Sequence, residues 1–132
     1  MKVLIDANVL LRFLLDDHAD LSPRAATMFE RAARGELTLL VPSAILAECA
    51  YTLKSFYKLG REELVDGLLT LLDLPGVRGL EDEILRQTLT LFRKHNVDFA
   101  DAYLAALGSA LNFSVVSFDH DLVKLGAVVL DR

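Results

Sequence analysis

Four carboxylates of the 132-residue sequence lie within or directly after apolar stretches that contain no Lys or Arg. These residues are Asp6, Glu48, Asp101 and Asp119. An ionised carboxylate in apolar surroundings must be paired, bind a metal ion or become protonated. If the four side chains converge, their mutual repulsion raises their proton affinities unless cations neutralise them. Oxygen ligands without Cys or His select Mg²⁺ or Mn²⁺, which would suit hydrolysis of a phosphodiester.

Some of these acids also fit purely structural roles. Asp119 could cap the helical turn that is predicted to begin at this residue. Asp98 and Asp101 have the spacing of a capping box, with Asp in place of the usual Glu. Glu48 is the hardest to explain structurally, because its helical neighbours include Ile45 and Tyr51 whereas lysines mark the solvated face. The coincidence of all four acids is therefore the stronger argument for a site.

Hydrophobic periodicity and turn residues predict the elements that position these acids. Strands are predicted at Val3–Ile5, Leu37–Val41, Val77–Leu80, Ser114–Phe118 and Ala127–Leu130. Helices are predicted at Ala7–Leu15, from an N-cap at Ser22 to Gly35, from Ser43 to about Lys58, at Arg61–Leu72 and Glu81–His95, from Asp98 to about Leu111, and as a turn at Asp119–Lys124. This alternation predicts an α/β fold, a three-layer α/β/α sandwich around a central, mostly parallel sheet. The first strand is continuously apolar, which predicts burial on both faces.

Length and composition restrict the class of protein. The length predicts a single domain over residues 1–132, and 53% hydrophobic residues argue against disorder. The single Cys49 predicts a reducing, cytoplasmic environment. No signal peptide or membrane-spanning run is recognisable in the sequence. The net charge of −5 argues against broad non-specific nucleic-acid binding, but it permits a local basic rim.

Several short motifs occur together in one order along the chain. They are Ile5-Asp6-Ala7-Asn8, Val41-Pro42-Ser43 with Ala47-Glu48, Asp98-Phe99-Ala100-Asp101-Ala102, and Ser117-Phe118-Asp119. This ordered set resembles PIN domains, specifically the VapC-type toxin ribonucleases of type II toxin–antitoxin pairs. Each motif is weak alone, whereas the ordered set covers nearly the whole chain. Ala7 departs from the pattern, since the family often has Thr or Ser there.

The resemblance implies a function and a set of site residues. It implies a cytoplasmic endoribonuclease that depends on Mg²⁺ or Mn²⁺ and hydrolyses RNA. Asp6, Glu48, Asp101 and Asp119 would be its catalytic, metal-binding acids. Asn8, Ser43, Asp98 and Ser117 would support them. The expected partners are RNA, a cognate antitoxin and a second copy of the chain. No association with a membrane is expected. A surplus of leucines in Arg61–Leu72 also suggests a subunit or partner surface.

Two alternatives compete with this hypothesis. The first is a catalytically silent PIN-like module that binds RNA or protein, although all four acids are present. The second is a phosphoryl-transfer enzyme with an aspartyl nucleophile, which would want a second Asp where Asn8 stands. Several basic side chains are also candidates for phosphate contacts. They are Arg12, Arg24, Arg31, Arg34, Lys54, Lys58 and Arg61.

Overall fold

The computed structural model describes residues 1–129, which form two compact units, Met1–Asp82 and residues 83–129. The first unit contains β1 (Lys2–Leu4), α1 (Ala7–Leu15), α2 (Leu21–Ala33), β2 (Thr38–Val41), α3 (Ser43–Ser55), α4 (Arg61–Asp73) and β3 (Val77–Gly79). The second contains α5 (Asp82–Lys94), whose first residue belongs to the first unit, then α6 (Phe99–Leu111), β4 (Val116–Ser117), a 3-10 helix (His120–Leu125) and β5 (Val128–Val129). Leu130 of the predicted last strand lies outside the described residues.

The sheet of the first unit has three parallel strands in the order β1-β2-β3. Leu39 in β2 pairs with Val3 on one side and with Val77 on the other. Parallel neighbours require crossover connections, and helices supply them between each pair of strands. The predicted α/β class, a parallel sheet flanked by helices, is therefore confirmed.

Helix packing in the first unit holds the start of α1 beside α3. The rings of Phe13 in α1 and Phe29 in α2 stack with their centroids 3.9 Å apart. The Sγ atom of Cys49 in α3 donates to the carbonyl oxygen of Ala7, 3.9 Å away, across 42 residues of sequence. Gly76, with φ of +79°, packs against the backbone of Ala32 before β3 begins. The contact between Cys49 and Ala7 joins the N-terminus of α1 to the middle of α3.

The second unit has a smaller parallel sheet in which β4 pairs with β5. The rings of Phe92 in α5 and Phe99 in α6 meet at a tilt, with centroids 5.9 Å apart. A Cβ at Gly108 would lie 2.9 Å from the carbonyl oxygen of Phe113, so only glycine permits this close return of the chain after α6. Residues 1–129 contain no helix that meets the length and apolarity needed to span a bilayer.

Three local predictions are wrong. The first strand is not buried on both faces, because β1 lies at the edge of the three-stranded sheet of the first unit and Leu4 is 69% exposed. Ser22 is not an N-cap, because α2 begins at Leu21 and the Nδ1 atom of His18 accepts the backbone N–H groups of Asp20 and Leu21. The third concerns α4, where every apolar residue except the half-buried Leu69 lies in the core, so the leucines do not form an exposed subunit surface. The core residues are Leu64, Val65, Leu68, Leu71 and Leu72.

Candidate functional site

Asp6 directly follows β1 and is the N-cap of α1. Its backbone is extended, and its Oδ1 atom accepts the N–H of Ala7 at 2.8 Å. The side chain is exposed, while Ile5 and Ala7 on either side are buried. The apolar neighbours are therefore part of the core, whereas the carboxylate caps the N-terminus of α1, where a negative charge is favourable.

Glu48 lies on the exposed side of α3, one residue before the buried Cys49. Burial and then the negative charges of Glu48 and Asp6 raise the pKa of the Cys49 thiol to about 12. Both carboxylates thus lie close enough to the same thiol to disfavour its ionisation. In the first unit, two of the four predicted acids therefore act on the same buried thiol.

Asp101 is the most enclosed of the four acids, and it is half-buried near the start of α6. Burial raises its pKa first, and the negative charges of Asp98, Asp119 and Asp121 add to the rise. A hydrogen bond from the backbone of Asp98 opposes part of this effect. That bond is one half of the capping box that the spacing predicts, while the Asp98 side chain makes no capping hydrogen bond.

Asp119 is the N-cap of the 3-10 helix and is exposed. Its Oδ1 atom accepts the N–H of Asp121 at 2.9 Å, so the predicted capping role is present. The Oγ atom of Ser117 in turn accepts the N–H of Asp119 at 2.9 Å, which fixes the backbone before the cap. In the second unit, the charges of Asp98, Asp119 and Asp121 therefore all act on Asp101.

The expectation that the four acids sit in apolar surroundings is wrong for three of them. Asp6, Glu48 and Asp119 are exposed, because each apolar stretch buries its own side chains and leaves the acid at an element start or on a solvated face. On α3, Tyr51 is exposed as well, so Glu48 shares the solvated side of the helix. Within residues 1–129, neither unit by itself gathers three His, Cys, Asp or Glu side chains suited to hold a metal ion.

The pattern of strands, helices and acids has a counterpart among known families. A model of the PIN domain family matches residues 3–128. The chain belongs to the PIN domain family. This PIN domain is 27% identical over 124 residues to the VapC ribonuclease of Aquifex aeolicus (strain VF5). The alignment covers 93% of this chain and 91% of that relative, so the similarity extends over nearly the full length of both.

Two of the predicted supporting residues, Ser43 and Asn8, have distinct environments. Ser43 is the half-buried first residue of α3, directly after the extended Pro42. Asn8 is exposed in the first turn of α1 and lines a groove of about 290 Å³. The groove lies between α1 and α2 and is lined by Asn8, Val9, Arg12, Leu21, Arg24, Ala25 and Met28. Two of the predicted phosphate-contacting arginines therefore share this groove with Asn8.

Sequence analysis missed Asp121 as a neighbour of Asp101. It lies two residues after Asp119, in the first turn of the 3-10 helix. The signal was the Asp-x-Asp spacing directly after a short apolar strand, which places both acids at one loop–helix junction. Its charge contributes to the raised pKa of Asp101.

Proposed function

We propose that this PIN domain is a metal-dependent endoribonuclease, the toxin of a type II toxin–antitoxin pair. The observation that carries the proposal is the PIN family match over residues 3–128. The similarity to a relative named VapC ribonuclease supports RNA as the substrate class and an antitoxin as the partner. The reaction would be hydrolysis of RNA phosphodiester bonds.

Asp6, Glu48, Asp101 and Asp119 are the proposed ligands for Mg²⁺ or Mn²⁺ and the proposed catalytic groups. Carboxylate oxygens are the donors that these hard cations prefer. In each unit, burial is the main cause of a raised pKa, that of Cys49 in the first and that of Asp101 in the second, and nearby negative charge adds to the rise. Such crowding is what a bound cation would offset. When bound, the cation supplies activation of water and stabilisation of the attacking and leaving oxygens.

The residues of the chain hold the proposed ligands in place before any ion binds. Backbone N–H groups fix one oxygen of Asp6 and one of Asp119. Ser117 positions the backbone of Asp119. Side chains fixed in this way lose less conformational freedom when a ligand binds.

Three further predictions stay proposals. The family match spans both compact units, which supports a single domain over residues 1–132. A homodimer stays a prediction from the family, because the leucines of α4 no longer argue for it. A cytoplasmic location stays a prediction from the single cysteine.

A catalytically silent RNA- or protein-binding module is the second candidate function. The capping hydrogen bonds of Asp6 and Asp119 favour it, because they give two of the four acids a structural role. A structural role would preserve these residues without any chemistry. The two candidates differ in what happens when the carboxylate alone is removed.

The test compares two exposed glutamates on helices, Glu48 in α3 and Glu30 in α2. Glu48→Gln and Glu30→Gln each remove one charge and keep the side-chain size. Cleavage of a mixed single-stranded RNA pool is measured with Mg²⁺, with Mn²⁺ and with EDTA. We expect Glu48→Gln to lose cleavage and Glu30→Gln to retain it. Cleavage that persists in EDTA, or a Glu48→Gln protein as active as Glu30→Gln, would favour the silent module.

A further inference from the structure

The C-terminal end of α3 exposes an unusual set of side chains. Tyr51 is 67% exposed and Phe56 is 77% exposed, and Tyr57 is exposed as well. Lys54 and Lys58 are exposed between and after them. We call these five residues the aromatic–lysine surface. Aromatic side chains normally contribute large buried areas, so two rings this open to solvent suggest an interaction.

Two residues of the aromatic–lysine surface, Tyr51 and Lys54, continue the side of α3 that carries Glu48. Glu48, Tyr51 and Lys54 follow one another at intervals of three residues, and all three are exposed. Residues three apart are neighbours on a helix surface, about 5–6 Å apart between Cβ atoms. The first ring of the surface therefore lies one helical turn from a proposed catalytic acid.

The end of α3 holds the second ring in solvent. Lys58 has φ of +57°, in the left-handed region, and the N–H of Leu59 donates to the carbonyl oxygen of Leu53 at 3.0 Å. This closure turns the chain back after the helix. Leu59 is half-buried, whereas Phe56, Tyr57 and Lys58 before it stay exposed. The rings are therefore presented by a closed helix end rather than by an open coil.

Local charge distinguishes this segment from the rest of an acidic chain. The sequence 49–61 contains Lys54, Lys58 and Arg61 and no Asp or Glu, although the whole chain carries −5. Lys54 also lies in the last turn of α3. A local positive patch on an acidic protein attracts a polyanion to one place.

We propose that the aromatic–lysine surface binds single-stranded RNA next to Glu48. Unpaired bases stack on the rings of Tyr51 and Phe56, and phosphates pair with Lys54 and Lys58. Aromatic rings beside cations are the combination that holds single strands without reading sequence. The inference rests on the proposed function, since it assigns how the same protein holds its RNA substrate.

The structure favours RNA over a protein partner because the exposed rings match unpaired bases and the lysines match phosphates. An acidic peptide would pair with the lysines but would supply no base to stack on the two exposed rings. A second copy of the chain would cover the rings but would bring its own lysines together, at a cost in repulsion. Both occupants remain as outcomes of the test.

The first experiment removes the rings. Binding of fluorescein-labelled oligouridine is measured by anisotropy in EDTA, so that binding is separated from cleavage. The variants are Tyr51→Ala and Phe56→Ala, and the matched control is Phe113→Ala, which removes an equally open ring of the second unit, 69% exposed. We expect each test variant to raise Kd roughly 5- to 150-fold, the loss of one stacked base. The control should bind like the parent.

The second experiment removes charge. Lys54→Gln is compared with Lys94→Gln, since both lysines are exposed and lie in the last turn of a helix. Loss of one phosphate contact should make the slope of log K against log salt shallower by about 0.7 for Lys54→Gln. Lys94→Gln should leave the slope unchanged. Duplex RNA should compete less well than oligouridine, because its bases are already stacked.

Three results would overturn the inference. The first is no binding of oligouridine by the parent, or equal binding by the test variants and Phe113→Ala. The second is displacement of oligouridine by a Glu- and Leu-rich peptide, if Tyr51→Ala weakens binding of the peptide but leaves binding of oligouridine unchanged. The third is a change from dimer to monomer on sedimentation of Phe56→Ala, which would assign the surface to a subunit interface. A parent that binds through the rings but never cleaves would refute the nuclease function while leaving this surface in place.

Discussion

Replacing Asp6 separates its structural role from its chemical role. Its carboxylate accepts the N–H of Ala7 at 2.8 Å, while its backbone carbonyl accepts the N–H groups of Val9 at 3.1 Å and Leu10 at 3.3 Å. The backbone bonds survive any substitution that keeps the extended conformation. Only the side-chain bond and the charge depend on the residue type, so Asp6→Asn and Asp6→Ala differ in one respect. Asn keeps an oxygen that can cap the helix, and Ala does not.

The expected stabilities follow from these two terms. Loss of an N-cap side chain costs about 1 kcal/mol, within a range of roughly 0.5–2 kcal/mol. Asp6→Ala should therefore melt about 4 °C below the parent in this chain. Asp6→Asn loses a charge–dipole interaction of about 0.3–1 kcal/mol, and the proposed acidic site predicts that it also relieves repulsion from the other acids. These effects oppose each other, so the Asn variant should melt close to the parent without metal.

The assay combines melting curves of the three proteins, with and without Mg²⁺, with cleavage of a mixed RNA pool. Both variants should lose cleavage, because both lose the carboxylate. Metal should stabilise the parent more than either variant, since this gain depends on binding to the folded state. Equal melting of Asp6→Ala and Asp6→Asn would refute the capping role. An Asp6→Asn protein that cleaves like the parent would refute the metal-binding role.

Two further predictions concern the first unit. Burial and nearby carboxylates raise the pKa of Cys49 from 9.0 to about 12, so the folded chain keeps a proton that the unfolded chain loses near pH 9. The protonated thiol therefore contributes fully to stability below pH 9, and this contribution is lost between pH 9 and 12. From pH 8 to 10, the free energy of unfolding measured in urea should fall by about 1 kcal/mol more for the parent than for Cys49→Ala. Gly35→Ala and Gly76→Ala both place Ala at positive φ, but only at Gly76 would a Cβ meet the backbone of Ala32. Gly35→Ala should lower the free energy of unfolding by about 1–2 kcal/mol, and Gly76→Ala should lower it clearly more. If the two variants melt at the same temperature, the close packing at Gly76 is contradicted.

The fold was more predictable than the ends of its elements. The alternation of apolar strands with amphipathic helices indicated parallel pairing, which β1, β2 and β3 show. By contrast, α3 ends at Ser55 and not near Lys58. The left-handed residue at Lys58 depends on how the following loop closes, and helix propensity carries no information about that closure.

The environment of the candidate acids differs from the one that the sequence indicated. Apolar neighbours of Asp6 and Glu48 suggested buried charges, yet both side chains are exposed. A sequence shows which residues are apolar, but not which direction an acid at an element boundary takes. The capping-box spacing of Asp98 and Asp101 did indicate a local hydrogen bond, because it depends on helix geometry alone.

The position of Asp6 and Asp119 at the starts of helical segments makes a conservative replacement unfavourable. Each carboxylate reaches its backbone N–H from the shortest acidic side chain. A glutamate at either position would keep the charge and add one methylene, which moves the oxygens away from the amide that holds them and adds a rotatable bond. The shorter acid is thus specified at these positions by reach and by rotational freedom, whereas Glu48, on an exposed helix face with no such amide to meet, has room for the longer one.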